Sequence, residues 1–266
     1  MKPSSVRGFT LVELILVIVV LGIVALATTS YIGLGSRIYV ETADRDRLLN
    51  QSRFAIERMV RELRNVVPNS VRVSGNCLEF MPLINAGRYV NVPTAPTSGT
   101  GFQIFSASPA VNWTAQTGDY LTIYPVQTDD IYTLSRNRTV RLTGVTNAWP
   151  LITFAFASHS FPTLSPSNRF YLMRQPVSYC VEGNQLWRHT GYGLLASQPT
   201  LSPFSSAAGY RRVLMAEGLN QGAQAPFVFT QGVLSRNSVV HLFLSFSSNF
   251  SDNLFFNQEV HVPNVP

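Results

Sequence analysis

An apolar run near the amino terminus constrains this chain more than any other feature. Residues 9–32 are nearly all apolar and contain a single charged residue, Glu13. About 24 residues in a helix span a hydrocarbon core of about 30 Å, so the run predicts a membrane-spanning helix. A charged side chain at the centre of a bilayer costs about 2.5–3.5 kcal/mol on insertion scales. Glu13 therefore needs a compensating partner, and we expect that partner to belong to the function.

Three kinds of segment fit this run. A secretory signal peptide needs a small-residue cleavage site after its apolar core, and ALATTS at 25–30 meets this need only weakly. A plain membrane anchor accommodates the run but gives no reason for Glu13. The third is a leader that is cut before the run, after Gly8. Residues 1–8 would then be a short basic leader, and the new α-amino group would lie four residues before Glu13.

The sequence around Gly8 resembles the prepilin motif of type IV pilins and type II secretion pseudopilins. In that family a basic leader ends in glycine, and the next residue, usually phenylalanine, becomes the N-methylated terminus. The fifth residue of the mature chain is glutamate. Gly8, Phe9 and Glu13 stand at these positions. Further matches to the family pattern are Thr10, Leu11 and Gly22.

The resemblance implies how the chain is processed and where it works. A prepilin peptidase/N-methyltransferase would cut between Gly8 and Phe9 and methylate Phe9. In a filament, Glu13 would pair with the terminal ammonium of a neighbouring subunit. The implied partners are other pilin and minor pilin subunits, through the amino-terminal helix, and an inner-membrane assembly platform. The implied location is the bacterial inner membrane, single-pass with a periplasmic headpiece, and then a pilus or pseudopilus.

The helical pattern continues beyond the membrane run. Apolar residues recur over residues 33–67 with a period near 3.6, which predicts an amphipathic continuation of the same helix. Pro68 disfavours helix at the residue before it and so ends the element. Gly33 and Gly35 each cost about 1 kcal/mol relative to alanine in a helix. We expect a bend or a loosening at these two glycines.

Two arrangements are open for the amphipathic half. The charged stretch 41–64 could form a coiled-coil stalk, or the helix could lie on a sheet. The apolar stripe broadens after Leu48, which favours docking against a sheet. The spacing also predicts two exposed ion pairs one turn apart, Glu57–Arg61 and Arg58–Glu62.

Residues 68–266 predict a β-rich headpiece, because the apolar period falls to two beyond residue 69. A hairpin is expected at Glu182-Gly183-Asn184, between two alternating runs. No linker separates two cores, so the fold class is α+β: a pilin-like long helix packed on one antiparallel β-rich body. Loops are expected at 85–101, 106–118, 143–150, 157–169 and 195–210.

The order of segments in the second half is similar to that of the larger minor subunits of these machines. The hairpin around residue 183 is followed by PFVFT, a hydrophobic strand and a closing NQEVHVPNVP. This order resembles the MshO-like minor pilins of MSHA-type pili, the PilW-like minor pilins and the GspJ-like secretion pseudopilins. The resemblance implies a minor subunit in an initiation or tip complex.

The chain has two cysteines, Cys77 and Cys180, which belong to no CxxC pair. A structural zinc site is therefore disfavoured. If the headpiece is exported, the two can form a disulfide that closes a loop of about 100 residues, which the chain-entropy model values at about 4–5 kcal/mol. The alternative is two buried free thiols.

No motif in the sequence predicts catalysis, a metal or a cofactor. The four histidines have no ligand spacing, and there is no GxSxG, P-loop or GxGxxG. His241 and His261 fit strand-like runs. The adjacent carboxylates Asp129 and Asp130 allow calcium ligation, but an exposed turn is the simpler interpretation. The net charge of +6 comes from Lys2 and scattered arginines, which does not favour nucleic acid.

Three functions are compatible with these features. The first is a structural filament subunit, either a minor subunit of a type IV, MSHA-like pilus or a GspJ-like pseudopilin of type II secretion. The second is a tip-displayed adhesin whose Ser/Asn-rich loops and tryptophans bind a ligand. The third, a membrane-anchored enzyme, lacks a convergent set of polar residues, so we predict that the chain is not an enzyme.

Overall fold

The computed structural model describes residues 8–106, 115–200, 202–206, 209–233, 236–247 and 253–264. The chain divides into two compact units, Met1–Arg47 and Leu48–Pro266. Helix α1 (Leu11–Arg64) contributes residues to both units. Each unit is described by itself.

The first unit is helical from Leu11 onward, and its apolar side chains are exposed all round the helix. The helix is long and apolar enough to cross a membrane. It stays α-helical through Gly33 and Gly35, so the expected loosening there does not interrupt it. Continuous backbone hydrogen bonding outweighs the modest propensity cost of two glycines.

In the second unit α1 ends at Arg64, three residues before the predicted end at Val67. The Asn65 N–H donates to the Glu62 carbonyl, and Val66 already forms an antiparallel bridge with Pro82. The chain thus leaves the helix early because its next residues pair with the strand region.

The strands of the second unit run in chain order with one short helix among them. They are β1 (Arg72–Ser74), β2 (Cys77–Phe80), β3 (Leu83–Arg88), β4 (Gly99–Phe105), β5 (Tyr120–Ile123), β6 (Thr139–Ala148), β7 (Leu151–His159), β8 (Arg169–Met173), β9 (Val177–Glu182), β10 (Gln185–Thr190), β11 (Arg211–Glu217), β12 (Phe227–Thr230), β13 (Ser238–Ser247) and β14 (Asn253–Val262). Helix α2 (Asp129–Tyr132) and a 3₁₀ turn at Leu134–Arg136 lie between β5 and β6.

These strands form three antiparallel sheets. The first has the order β1-β2-β9-β10-β11, the second β3-β8-β5-β6-β7-β4, and the third β12-β13-β14. The predicted hairpin is present: Glu182 pairs with Gln185 across a turn in which Gly183 has φ 62°. That left-handed conformation is easily adopted only by glycine. A long helix with antiparallel sheets makes the fold α+β, as predicted.

One face of the last turns of α1 packs into the larger core. Ala55, Ile56, Met59 and Leu63 are buried there. They lie in one cluster with side chains of the five-stranded and three-stranded sheets, namely Leu78, Tyr179, Leu186, Leu242, Leu244 and Phe246. Docking against sheets is therefore confirmed, and a free stalk is excluded for this part of the helix.

A second core lies within the six-stranded sheet. It contains an aromatic group in which Phe102 and Phe154 have ring centroids 5.6 Å apart, and Phe154 and Phe170 5.5 Å apart. The alternation along β7 places Ile152, Phe154 and Phe156 in this core.

Several predicted loops were wrong. Strand β3 extends to Arg88, inside the predicted loop 85–101. Strand β6 extends to Ala148, inside the predicted loop 143–150. Strand β7 reaches His159, inside the predicted loop 157–169. These segments are polar or glycine-containing, and they become strands because a neighbouring strand pairs with them.

Candidate functional site

The amino-terminal site begins with an accessible peptide bond. Gly8 and Phe9 precede the helix without regular structure, and Phe9 is 79% exposed. Among the residues that the structure describes, none has an atom within 4 Å of the position that a Cβ on Gly8 would take. A peptidase can therefore reach the bond between these two residues without unfolding the helix.

Thr10 and Glu13 fix the start of α1. The Glu13 N–H donates to the Thr10 Oγ1 at 3.3 Å, and the Leu14 N–H donates to the Thr10 carbonyl at 3.2 Å. This is the N-cap half of the pattern T-x-x-E, in which Thr10 satisfies a free N–H of the first turn. This capping role of Thr10 was not predicted, although the spacing of Thr10 and Glu13 indicates it.

The Glu13 carboxylate lies in the first turn of α1 and is exposed. Among the described residues no cationic side chain pairs with it. A negative charge in the first turn interacts favourably with the positive end of the helix dipole, typically by about 0.3–1 kcal/mol. This local benefit is smaller than the cost of a charge in lipid, so the helix alone does not compensate Glu13.

The apolar surface of the first unit has no partner within the described chain. Leu11, Leu21 and Leu26 are 60–75% exposed, and residues on the other sides of the helix are exposed as well. A helix that is apolar all round must be buried in lipid or among other helices.

Comparison with known families finds one match. A family model described as the prokaryotic N-terminal methylation motif matches residues 3–29, which include Gly8, Phe9 and Glu13. This supports a type IV pilin-like protein, that is, a pilin or pseudopilin, with an amino-terminal helix suited to inner-membrane anchoring. The motif implies processing by a prepilin peptidase and assembly of the pilin type. No curated protein and no solved structure matches the chain.

In the headpiece, Cys77 and Cys180 form a disulfide. They are directly opposite each other on β2 and β9. The structure thus has the disulfide rather than the two free thiols. The Gln198 Nε2 donates to the Cys77 carbonyl at 2.9 Å, and this hydrogen bond holds the β10–β11 connection beside β2.

Glu62 of α1 is part of a polar contact with the five-stranded sheet. Its carboxylate accepts hydrogen bonds from Arg58 Nε at 3.0 Å, Arg188 Nε at 3.1 Å and Tyr179 OH at 3.1 Å. Burial, and then the Glu62 charge, raise the pKa of Tyr179. The predicted Arg58–Glu62 pair therefore exists, but it faces the sheet instead of solvent.

A buried carboxylate lies on β2. Glu79 is fully buried, pairs with Arg72 Nε and accepts a hydrogen bond from Tyr192 OH at 2.7 Å. Burial raises the pKa of Glu79, and Arg72 opposes this shift. The Arg72 guanidinium also donates to the carbonyls of Leu195 and Ala196. These contacts hold the β10–β11 connection against the sheet.

Asp129 and Asp130 have different surroundings. Asp130 is buried and accepts hydrogen bonds from the N–H groups of Val126 and Gln127, so the exposed turn was wrong for this residue. Arg136 and Arg138 lie 3.7 and 3.5 Å from its carboxylate oxygens. Because two arginines occupy the position that a cation would need, the pair does not fit a calcium site. Asp129 is exposed.

Cys180, Glu182 and His189 have their ligand atoms within 4.8 Å of one another. Cys180 is in the disulfide and has no thiolate to offer, so the group does not fit a three-ligand metal site. His189 is fully buried, and its Nδ1 lies 2.8 Å from Tyr210 OH. Burial, followed by the charge of Arg212, lowers the pKa of His189 to about 4. His189 Nε2 also lies 3.0 Å from the Glu182 carboxylate, which opposes this lowering, but the burial of the ring outweighs it and His189 is neutral at pH 7.

Two other histidines match the sequence expectation. His241 and His261 lie in β13 and β14, as predicted for sheet residues. The His241 Nδ1 lies 3.4 Å from the carboxylate of Glu259 on the neighbouring strand. Both histidines are explained by their places in the sheet.

Proposed function

We propose that this protein is a minor subunit of an MSHA-like type IV pilus, made as a precursor and cut between Gly8 and Phe9. The motif match and the exposed peptide bond at the helix start support this processing step. Cleavage gives Phe9 a terminal ammonium, which the peptidase then methylates. The subunit would sit in the inner membrane with a periplasmic headpiece before it enters the filament.

The observation that carries the proposal is the exposed apolar helix with one uncompensated carboxylate. Helices of neighbouring subunits would cover this surface, and a neighbour's terminal ammonium would neutralise Glu13. Filament assembly therefore relieves two unfavourable features of the isolated chain at once.

The buried charges of the headpiece support a structural rather than a catalytic role. Among the described residues its buried carboxylates, Glu79, Asp119 and Asp130, are each paired with an arginine. We accordingly propose a structural subunit and no enzymatic activity. The disulfide is consistent with an exported headpiece.

A type II secretion pseudopilin is the second candidate. The amino-terminal motif is common to pilins and pseudopilins, and the segment order of the second half also resembles GspJ-like pseudopilins. Deletion of the gene separates the two: a loss of adhesive pili supports the pilus, and a loss of secreted exoproteins with normal pili supports the secretion system.

Mass spectrometry of the amino terminus tests the processing step that both candidates share. In cells with prepilin peptidase we expect N-methylated Phe9 as the first residue. In cells without the peptidase we expect the chain to retain residues 1–8. A mature protein with any other terminus in normal cells would overturn the proposal.

A further inference from the structure

A solvent-open cavity of about 610 Å³ lies on the outer face of the six-stranded sheet. Residues of β6, the end of β7 and the turn before β5 line it. The lining residues that matter here are Thr117, Gly118, Arg141, Thr143, Ser158 and His159. None of them belongs to the amino-terminal site.

The cavity exists because strands β6 and β7 separate. Their pairing starts at Leu142–Phe156 and continues away from the cavity. On the other side of that pair, residues 139–141 pair with β5, and His159 pairs with Gly99 of β4. The gap is held at its far end, where His159 Nε2 lies 2.9 Å from the Asn137 carbonyl. The cavity is thus built into the sheet.

Arg141 gives the cavity a positive charge. It is exposed, and within the described part of the chain no carboxylate pairs with it. The three acidic residues nearest to Arg141 in the sequence are each paired with another arginine: Asp130 with Arg138, Asp129 with Arg136 and Asp119 with Arg174. The charge of Arg141 is therefore available to a ligand.

The turn before β5 lies beside the arginine. Gly118 has φ 96°, and a Cβ at this position would lie 3.5 Å from Arg141 Nη2. The guanidinium thus lies on the side of Gly118 where other residues would carry a side chain.

Hydroxyl-bearing residues line the same cavity as the arginine. Thr117, Thr143 and Ser158 are exposed and line the cavity, and Leu134 adds an apolar contact. An arginine is suited to a carboxylate, which it binds with two parallel hydrogen bonds. The hydroxyls are suited to a ligand that has many hydroxyls of its own. The volume is in the range of small-molecule sites, about 300–1,000 Å³, and is much larger than a simple anion requires.

We propose that this cavity binds a carboxylated sugar, with Arg141 on the carboxylate and Thr117, Thr143 and Ser158 on the sugar hydroxyls. Because the cavity is open to solvent, part of a bound sugar would remain in water. This suits one sugar unit of a longer acidic polysaccharide. The headpiece would then attach its carrier to an acidic glycan.

The test is binding of glucuronic acid to the full chain in detergent micelles, measured by saturation-transfer NMR and isothermal titration calorimetry. Glucose is the uncharged counterpart, and inorganic phosphate is the anion without sugar hydroxyls. We expect saturable binding of glucuronic acid and at least about tenfold weaker binding of the other two, because each lacks half of the recognised chemistry.

Two arginine variants make the test specific. Arg141→Ala should weaken glucuronic acid at least about tenfold, and Arg141→Lys should weaken it less, since the charge remains while the paired hydrogen bonds are lost. Arg211→Ala, at an exposed arginine of β11 in another sheet, is the matched control and should bind like the parent. Thr143→Val is a second cavity variant that keeps all charges, and we expect it to weaken binding about two- to fivefold.

Several results would overturn the proposal. Absence of saturable binding to the parent chain would do so, as would equal affinity for glucose. Equal affinity for phosphate would show that the cavity binds anions in general, and it would refute the proposal of a sugar ligand. A parent-like Arg141→Ala, or an equal loss in Arg211→Ala, would also refute it. Binding is measured on isolated chains, so its failure leaves the assembly proposal untouched.

Discussion

The two parts of helix α1 contain similar apolar residues but use them differently. Up to Arg47, leucines and valines are exposed on every side of the helix. From Leu48 onward one stripe, which includes Met59 and Leu63, is fully buried in the headpiece core. In the first unit the apolar surface is exposed and can contact lipid or other subunits. In the second unit the apolar side chains of the stripe are buried in the headpiece core.

This difference separates the roles of the two units in energetic terms. Removing a side chain from the buried stripe loses transfer free energy and leaves a cavity, so it changes the stability of the headpiece. Removing one from the exposed run changes only what the helix can contact outside itself. Mutations should therefore divide into those that unfold the headpiece and those that affect assembly.

The largest expected effect is loss of the disulfide. The double change Cys77→Ala and Cys180→Ala should lower the free energy of unfolding of the headpiece by about 4–5 kcal/mol, because a loop of this length is no longer closed in the unfolded chain. Urea unfolding of the full chain in detergent micelles measures the change. Membrane insertion should be unaffected. A loss below about 1 kcal/mol would show that the loop closure is not important.

A matched pair of leucines tests the two parts of the helix directly. Leu63→Ala should cost the headpiece about 2–5 kcal/mol, because Leu63 is fully buried. Leu21→Ala, at a residue that is 60% exposed, should leave headpiece unfolding unchanged. The same urea titration serves both variants. Equal losses in the two would refute the division.

Glu13→Ala tests assembly with the headpiece intact. We expect leader removal and membrane insertion to remain normal, and recovery of the subunit in sheared filaments to fall about tenfold, which corresponds to about 1.4 kcal/mol. Glu41→Ala changes an acidic residue of the same unit outside the apolar run, and it should be recovered normally. Immunoblots of sheared and cellular fractions measure both. Normal recovery of Glu13→Ala would contradict the assigned role.

The smallest expected effect is a pH dependence of headpiece stability from His189. Its pKa falls from 6.5 to about 4 in the folded chain, so below pH 6.5 the unfolded chain binds a proton that the folded chain does not. Stability should therefore decrease as the pH is lowered from 6.5 towards 4, by an amount on the order of 1 kcal/mol.

Urea midpoints at pH 5 and pH 7 measure this dependence. Burial raises the pKa of Glu79, which gives the opposite trend: this carboxyl favours the folded chain at low pH, and the benefit is lost as pH rises through its folded pKa. His189→Gln should therefore reduce the acid destabilisation, and Glu79→Gln should increase it. An unchanged pH dependence in His189→Gln would contradict the assignment.

The sequence predicted the amino-terminal site because its information is local. Gly8, Phe9 and Glu13 are recognised by spacing along the chain, and the apolar run needs only length to be interpreted. The hairpin at Gly183 was predicted correctly, since a glycine turn between two alternating runs is a local signal.

The remainder of the fold depends on which strands meet. Strand β7 carries a clear alternation that could have been recognised, but β6 is polar and glycine-containing at its outer end and resembles a loop. The cavity at Arg141 depends on where β6 changes partner from β5 to β7, and single-strand patterns do not encode that point. The burial of Asp130 likewise depends on arginines that lie beyond its own helix.

The link between Cys77 and Cys180 also limits how far the headpiece can be stretched. A filament under tension would pull its subunits, and an unfolding domain would normally release its whole contour length. The cross-link spans a sequence separation of 103 residues. At about 3.5 Å per extended residue, roughly 350 Å of chain cannot be drawn out. A headpiece loaded at its two ends would therefore extend only through the segments outside this loop, and about half of its chain would remain inside the closed loop.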